Sequence, residues 1–554
     1  MPMKNKLKIG ILIRDIEKLE NWECRILKGI IEHPNLELVL FIKDERDRMR
    51  SLGSRFKKIF LTPRVFFNVL FALQMKTESL VSIFKKKRTV DAAWIIAKTK
   101  TVETIYLNPA RDGCLDIFSE EDSAKIKAYD LDIILQHEFK IIRGDILKAA
   151  RYGIWSYHHA DNSVNRGAGP AGFWEIVNNE PFCCVTLLQL TPEFDSIVID
   201  KAWFNRNMSF YKNNNDLHEN SVALLFKNIN KLLNQDKIEI KKSLIYYNRF
   251  YKDPSLKYLL IYIFTFYFKI FMRIFNKLLP IGRLNCWVLF FSKGNFLDST
   301  LSKINPLSIP KKEFWADPFL YKHNNQLYVF FENYPYKTKR GKISVGKIAE
   351  MPDGEYSVID VQDVLDCEYH LSYPQIIEED GEIFLMPETH QNKRLEIYRC
   401  TQFPYKWELY ATSFEGEEIV DTTYFRDEKG DRWLLLNKGW THDAELHIYK
   451  IDSLKLKDII AHKLNPVLID CRKGRNGGAI FKYENGYYRP SQINTHGIYG
   501  RGLQICKIKK LTLDEFEDEP VIEIEPNFRK GLIGIHHLHQ LNDYFIFDGC
   551  YKRY

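Results

Sequence analysis

Short apolar runs alternate with amphipathic ones over the first half of the chain. Lys8–Ile13 (KIGILI) reads as a buried strand, Trp22–Ile31 (WECRILKGII) has helical spacing that His33 and Pro34 stop, and Leu36–Ile42 (LELVLFI) is a second strand. Strand, helix, strand at this spacing begins a parallel α/β sheet. No GxGxxG follows the first strand, which removes the main support for a dinucleotide site. From Asp44 to Lys100 the pattern turns basic and aromatic (RFKKIF, RVFFNVLFALQMK, FKKKR), and two readings stand: a helical insertion packed on the sheet, or a membrane-surface helix. The sheet resumes at Asp130–Leu135, after a helix capped by Ser119 with Asp122 three residues on. Ile146–Arg151 reads as a short helix stopped by Gly153, and Ile154–His158 as the next strand. Asp216–Gln235 is an amphipathic helix with Asp216 and Glu219 in the places of a capping box. Lys257–Leu279 is the most hydrophobic stretch. Its longest charge-free run, Tyr258–Phe268, falls short of the roughly 20 apolar residues that span a bilayer, so it reads as a helix in a membrane interface or between domains.

Beyond Cys286 the period shortens to that of strands and turns. Five segments share one design, a polar residue opening a strand, a turn, and an aromatic-rich return strand ending on another polar residue. They begin at Phe314, His370, Val420, Gly477 and His536, a repeat of about 50 to 60 residues that matches propeller blades. Cys286–Phe291 (CWVLFF) supplies an outer strand to close the ring.

At 554 residues the chain exceeds one core and splits into two or three domains. The expected fold class is α/β plus all-β: a Rossmann-like domain over 1–240, a hydrophobic helical linker over 241–283 and a five-bladed β-propeller over 284–554. The net charge of +8 is mild, and no basic run interleaves with aromatics as a nucleic-acid groove requires, so no nucleic-acid partner is expected. The ten cysteines are scattered without a CxxC pair, which fits neither a disulfide framework nor a zinc site and suits a reducing cytoplasm; no metal is expected. The opening MPMKNKLKIGILIRD lacks a signal-peptide core.

The densest chemistry runs from Tyr152 to Asp195, YGIWSYHHADNSVNRGAGPAGFWEIVNNEPFCCVTLLQLTPEFD. A histidine pair closes a strand, where open α/β sheets place ligands. A Gly-rich loop follows, and an acidic residue comes after the next strand. A histidine oriented by a carboxylate can take a proton from an attacking amine, while nearby donors hold the oxyanion. Residues 130 to 203 resemble the catalytic core of the folate-dependent formyltransferases of the methionyl-tRNA formyltransferase type. His158 stands eight residues before Arg166 of RGAGP, and VTLLQLTPEFD ends on Asp195. The resemblance implies 10-formyltetrahydrofolate as cofactor, His158 as base, Asp195 as its partner, and Ser156 in the oxyanion position where the family has Asn. It also implies a cofactor contact by His137, Glu138, Phe139 and Ile142 of HEFKII, with Arg166 and Gly167 of the loop.

The second half resembles the N-terminal region of glucosamine inositolphosphorylceramide transferases through ADPF, HLSYP, MPET, GGAIF and RPSQ, and more distantly five-bladed glycosidases. The blade design places Asp317, His370, Asp421, Arg475 and His536 at the openings of inner strands, and Glu332, Glu388, Gln492 and Asp548 at the ends of the next. These form the expected substrate-binding set, for glycan binding or transfer in preference to hydrolysis. The first expectation is thus formyl transfer to an amino sugar, as a nucleotide sugar or lipid-linked glycan, in surface polysaccharide biosynthesis. It is placed in the cytoplasm at the inner membrane face, with peripheral contact through 257–279. The alternative is a glycosyltransferase or glycan-binding protein whose propeller is the active part and whose first domain is a degenerate scaffold.

Overall fold

The structure, a computed structural model, describes residues 6–48, 65–81, 89–167, 169–192, 196–235, 246–278 and 284–553. The chain divides into two compact units, Met1–Ala202 with Arg206–Tyr267, and Trp203–Asn205 with Phe268–Tyr554.

The first unit is built on a seven-stranded sheet of β1 (Leu7–Leu12), β2 (Leu36–Asp44), β3 (Glu103–Leu107), β4 (Ile133–Gln136), β5 (Ile154–His158), β6 (Phe182–Gln189) and β7 (Ile197–Asn205), ordered β7-β6-β5-β4-β1-β2-β3. β3, β2, β1, β4 and β5 run parallel, and β6 turns antiparallel to β5. Ile9, Ile11, Ile133 and Ile154 are fully buried, so the central strands read as apolar runs without alternation. The strand order departs in both directions from β1, which makes the β1/β4 boundary the switch point of the sheet. His137 and Glu138 leave β4 there, both donating their backbone N–H to the Leu12 carbonyl.

Helix α1 (Asn21–Glu32) and helix α2 (Phe210–Gln235) pack together in this unit. α2 begins a turn and a half before Asp216, which corrects the expected capping box. Ser209 caps it instead, its hydroxyl accepting from Lys212 N at 3.1 Å. Asp216 and Glu219 sit inside the helix as buried acids. Asp216 pairs with Lys212 at 2.8 Å, and Glu219 accepts from Asn21 and from Arg25 at 2.8 Å. The cap at Ser119 forms as expected. The helix expected over Ile146–Arg151 is one 3-10 turn, Asp145–Lys148.

A third helix, α3 (Leu256–Leu278), covers the hydrophobic stretch. Leu259, Tyr262 and Phe266 form its buried stripe. The Tyr262 hydroxyl donates to Glu78 Oε1 at 2.5 Å and accepts from Phe210 N at 2.8 Å. Glu78, on the helix Val65–Leu80, is fully buried and also accepts from Ser209 and Gln74. That partial insertion helix belongs to the basic aromatic stretch; RFKKIF and FKKKR lie outside the described residues.

The second unit is a five-bladed propeller. Blade I is Glu313–His323, Gln326–Pro335, Lys342–Glu350 and Tyr356–Leu365; blade II is Ser372–Glu379, Glu382–Glu388, Leu395–Gln402 and Lys406–Ser413. Blade III is Val420–Arg426, Arg432–Asn437, Glu445–Ile451 and Ile459–Ala461, with Leu468–Ile469 added; blade IV is Phe481–Tyr483, Gly486–Thr495, Ile498–Leu511 and Phe516–Ile524. Blade V joins Leu532–Gly534, Leu538–Leu541 and Tyr544–Arg553 to Leu284–Lys293, which runs antiparallel to Tyr544–Arg553 along its length. The first strand of the unit thus closes on the last.

Side-chain alternation explains the ring. Phe330, Ile343 and Val345 of blade I pack with Leu385 and Tyr398 of blade II, while Val329 and Phe331 face Leu289 and Ile546 of blade V. Leu434 and Leu436 face blade II, whereas Trp433 and Leu435 face the blade IV side. Phe290, Phe545 and Phe547 fill the cluster between blades IV and V. Each middle strand is buried on both faces, so its sequence is apolar throughout rather than alternating.

Candidate functional site

The innermost strands of blades I, II and III each break register at one place, between Ala316 and Phe319, Ser372 and Gln375, and Val420 and Thr423. Each break holds one residue at positive φ: Asp317 (+50°), Tyr373 (+48°) and Asp421 (+45°). Such backbone costs about 1–3 kcal/mol per residue and gathers at sites where a bulge re-aims a side chain. Here the backbone N–H at each break donates to a carboxylate of the neighbouring blade. Asp548 Oδ2 accepts from Asp317 N (3.2 Å), Asp317 Oδ2 from Tyr373 N (3.3 Å) and Glu388 Oε2 from Asp421 N (3.0 Å). The Tyr373 hydroxyl accepts from Gly478 N at 2.9 Å.

The expected register needs correction at two blades. Tyr373 and Gly478 occupy the places assigned to His370 and Arg475, because Ser-Tyr-Pro and Gly-Gly-Ala match Ala-Asp-Pro of blade I. His370 and Arg475 lie just before, in the approaches to their blades. Gly478 has φ +132°, and a Cβ there would sit 1.8 Å from the Leu538 carbonyl oxygen. Gly478→Ala is expected to cost about 2 kcal/mol or more, read as a lower midpoint in thermal unfolding; an unchanged midpoint refutes the tight approach.

The side chains form one connected, buried cluster. His536 bridges two acids, Nδ1 lying 2.8 Å from Asp548 Oδ2 and Nε2 3.3 Å from Asp317 Oδ1. Arg475 Nε donates to Asp421 Oδ2 at 2.6 Å, and Gln492 Nε2 donates to the same oxygen at 2.9 Å. His390 Nδ1 is 2.7 Å from Glu388 Oε1, and His370 Nε2 is 3.5 Å from Glu332 Oε1. Trp287 packs tilted against the His536 ring with centroids 4.0 Å apart, Tyr499 meets that ring edge-on at 5.4 Å, and the Arg475 guanidinium lies 4.8 Å over Tyr499.

Burial and these partners separate the protonation states. Burial pushes Asp421 up, against Arg475 and with help from Glu388 and Asp317, to about 8. Burial acts on Glu388 in the same direction, but the His390 hydrogen bond and charge and Arg475 overcome it and bring it down to about 2. Burial would lower His536, yet Asp548 and Asp317 carry it up to about 9. Burial lifts Asp317 to about 6 despite His536, and holds Glu332 well above the carboxylate range, with Asp317 and Glu388 adding to it. At neutral pH the cluster therefore presents a neutral Asp421, an ionised Glu388 and a charged His536.

Asp317, His536 and Asp548 bring ligand-type atoms within 4.8 Å of one another. Both nitrogens of the His536 ring face carboxylates, so the imidazolium charge takes the place a cation would fill. The exposed edge of the cluster carries His390, His442, His370 and Arg475, whose side chains are 30, 24, 20 and 12% exposed; burial lowers the pKa of His370 and His442, whereas Glu388 raises that of His390.

The residues singled out in the first unit are arranged differently from expectation. His158 Nε2 lies 2.5 Å from the Asn165 carbonyl oxygen, and burial lowers its pKa. The nearby carboxylate acting on it is Asp161, which is itself paired with Lys201 at 2.5 Å. Asp195 lies outside the described residues, and Ser156 is half-buried on β5. Arg166 Nε donates to the Asn162 carbonyl at 3.0 Å and its guanidinium covers Tyr246. A Cβ on Gly167 would meet the Tyr251 carbonyl at 1.6 Å. The loop thus faces the chain's own residues 246–251 rather than an open cofactor slot. His137 packs tilted against Trp22 with centroids 4.9 Å apart, Glu138 is tied to Leu12 through its backbone, and Phe139 packs on Phe118. Ile142 is fully buried in a strand of a small second sheet, which corrects its assignment to a cofactor surface.

Sequence reasoning missed Tyr373, His390, Trp287 and Tyr499. The recurrence of small-X-Pro in Ala316-Asp317-Pro318 and Ser372-Tyr373-Pro374 was the available signal for Tyr373. The other three come from a 3-10 turn after the second strand of blade II (His390), the start of Ile498–Leu511 in blade IV (Tyr499) and the closing strand (Trp287), places whose spacing carries no repeat.

Residues 300–539 match the family model described as glucosamine inositolphosphorylceramide transferase 1, N-terminal. Glucosamine inositolphosphorylceramide transferase 1 of Oryza sativa subsp. japonica is 34% identical over 214 residues, 38% of this chain and 28% of that protein. The Arabidopsis thaliana protein of the same name is 32% identical over 224 residues, 39% of this chain and 28% of its own. The chain spans little more than a quarter of the length of these curated relatives. Among solved structures, RS223-β-xylosidase has 11% identity and a TM-score of 0.33, over 43% of this chain and 92% of that one. A thermostable family-43 glycoside hydrolase has 13% and 0.33, over 44% and 90%. The five-bladed architecture rests on the strand pairing above, not on these scores. The relatives overturn the expectation of folate-dependent formyl transfer: they are named as transferases of another kind, and no formyltransferase family match is seen. Residues 300–539 form a domain like the N-terminal part of glucosamine inositolphosphorylceramide transferase 1.

Proposed function

We propose that the propeller is the working part of this chain and engages a glycan in a glycosyl-transfer system, with the α/β unit as its scaffold. The observation that carries the reading is the axial cluster itself: five buried acidic side chains, Asp317 and Asp421 at strained bulges, held by Arg475, Gln492 and histidines, with Trp287 and Tyr499 beside them. Donors and acceptors in fixed places next to aromatic faces are what a polyhydroxylated ring needs for orientation. The relatives' name joins glucosamine to a phosphorylated inositol lipid, and Arg475 with His390 at the edge of the cluster suits a phosphorylated polyol.

Every one of Asp317, Glu388, Asp421 and Asp548 already has a protein partner, which favours binding and positioning over a free nucleophile. One observation favours a second reading, glycosidic acid–base chemistry: Asp421 and Glu388 are adjacent carboxyls in opposite protonation states. Calorimetric titration of the full chain with inositol 1-phosphate, glucosamine and glucose tests the main reading. Inositol 1-phosphate is expected to bind, and Asp421→Asn to weaken it at least about tenfold by disturbing the Arg475 contact. Binding of none of the three, or binding untouched by Asp421→Asn, overturns it. Release of nitrophenol from aryl glycosides by the wild-type chain, abolished by Glu388→Gln, would instead establish the second.

A further inference from the structure

The helix α3 is apolar on two opposite sides, and only one of them is used by the protein. Leu259, Tyr262 and Phe266 are buried, whereas Leu260, Ile261, Phe271, Ile274 and Phe275 are 40–59% exposed. Exposed apolar residues at 260, 271, 274 and 275 follow helical spacing and form a stripe along the axis. A soluble surface rarely keeps so large a continuous apolar stripe without an occupant.

Charge identifies the occupant. From Leu256 to Leu278 the helix holds no acidic residue, and Lys257, Lys269 and Arg273 interrupt its apolar sequence. Lys257 and Arg273 are exposed. An apolar aromatic stripe on a helix whose charged residues are all basic is complementary to an anionic lipid surface, where acyl chains take the stripe and headgroups take the cations.

The helix is also long and apolar enough to cross a membrane. Its attachment argues against crossing. The Tyr262 hydroxyl is locked into a buried polar network with Glu78 and Phe210 N, and Ser209 and Tyr211 N bind the other oxygen of Glu78. Spanning would either break those bonds or carry a carboxylate into hydrocarbon, and both are costly. The helix Val65–Leu80, which supplies Glu78, likewise leaves Phe66, Leu73 and Leu80 57–71% exposed.

We propose that α3 docks the protein on an anionic membrane, lying in the interface plane and not spanning it. This surface is independent of the axial glycan site, so either reading can fail alone.

The test is flotation of the full chain with vesicles of phosphatidylcholine and phosphatidylserine, against phosphatidylcholine alone. The wild type is expected to float with the anionic vesicles, and Leu260→Ser/Phe271→Ser/Phe275→Ser to lower its partition about 100-fold. Lys257→Glu/Arg273→Glu, which leaves every apolar contact in place, is expected to abolish the preference for anionic vesicles. A wild type that stays with the soluble fraction, or partition unaltered in both variants, overturns the proposal. So does chain from cell membranes that resists alkaline carbonate extraction, which is the behaviour of a spanning helix.

Discussion

Arg475→Met is expected to destabilise the propeller by about 3–5 kcal/mol, a fall of roughly 10 °C in the unfolding midpoint for a unit of this size. The guanidinium is the cation closest to Asp421 and also acts on the ionised Glu388. Methionine fills much of its volume but supplies no charge, leaving the ionised Glu388 with His390 and the Asp421 hydrogen bond as its support. Removing the partner of a buried charge costs far more than the pair contributes, because the remaining group can neither be solvated nor neutralised freely. The second variant separates charge from packing. Arg475→Met combined with Asp421→Asn is expected to recover part of the loss, giving a coupling energy of about 1 kcal/mol or more in the double-mutant cycle. Strict additivity of the two losses would show that Arg475 acts through packing alone.

Stability is expected to fall as pH rises from about 6.5 to about 9. His536 has its pKa raised from 6.5 to about 9, so the stability it contributes is complete below 6.5 and is lost as pH climbs through 9. Asp421 works in the same direction by a different route. Its carboxyl is held protonated to about 8, so the folded state is penalised progressively as pH rises from the ordinary carboxylate range to 8. Glu388 sets the other limit: with its pKa depressed to about 2, its contribution is present above about 4.5 and disappears as pH falls through 2. With Asp421 and Asp317 (raised to about 6) both penalising the fold from the ordinary carboxylate range upward, the cluster is most favourable near about pH 4. The loss on the alkaline side is on the order of 3 kcal/mol. Chemical denaturation at a series of pH values measures it, and His536→Gln is expected to flatten the curve between 6.5 and 9. A wild-type curve that rises over that interval would contradict the bridging of Asp317 and Asp548 by a charged imidazole.

Much of the architecture was legible because burial on both faces leaves a plain mark. Runs such as VFFEN after Tyr328 and WLLLN after Arg432 are strands between two inter-blade cores, and their recurrence every 50 to 60 residues exposed the ring. The polar residues at their ends, Glu332, Glu388 and Asp548, stood out for the same reason: an acid at the end of an apolar strand has to face something. The helix start at Ser209 was less legible, since Asp216 and Glu219 have the spacing of a capping box and only packing against Asn21 and Arg25 shows that they are interior groups.

The formyltransferase expectation failed for an instructive reason. His158, Arg166 and Gly167 have the order and spacing of a catalytic loop, and order is all that a linear motif records. In the folded unit the His158 ring meets the Asn165 carbonyl, Arg166 meets Asn162 and Tyr246, and Gly167 meets Tyr251. Residues 80 positions downstream close the loop, and no local pattern announces them.

The sequence by itself determined the α/β start, the five-fold repeat, its closure by a strand near Cys286, and which acids lie at the axis. Those features follow from hydrophobic period and from the rule that a buried strand can change to polar only where it meets an opening. Tertiary structure alone decided which of those acids share a proton with which base, because that depends on distances between blades: His536 between Asp317 and Asp548, Arg475 on Asp421, His390 on Glu388. It also decided that Tyr373 and Gly478, not His370 and Arg475, take the strained axial positions, since a one-residue bulge changes which side chain faces the axis without changing the composition around it.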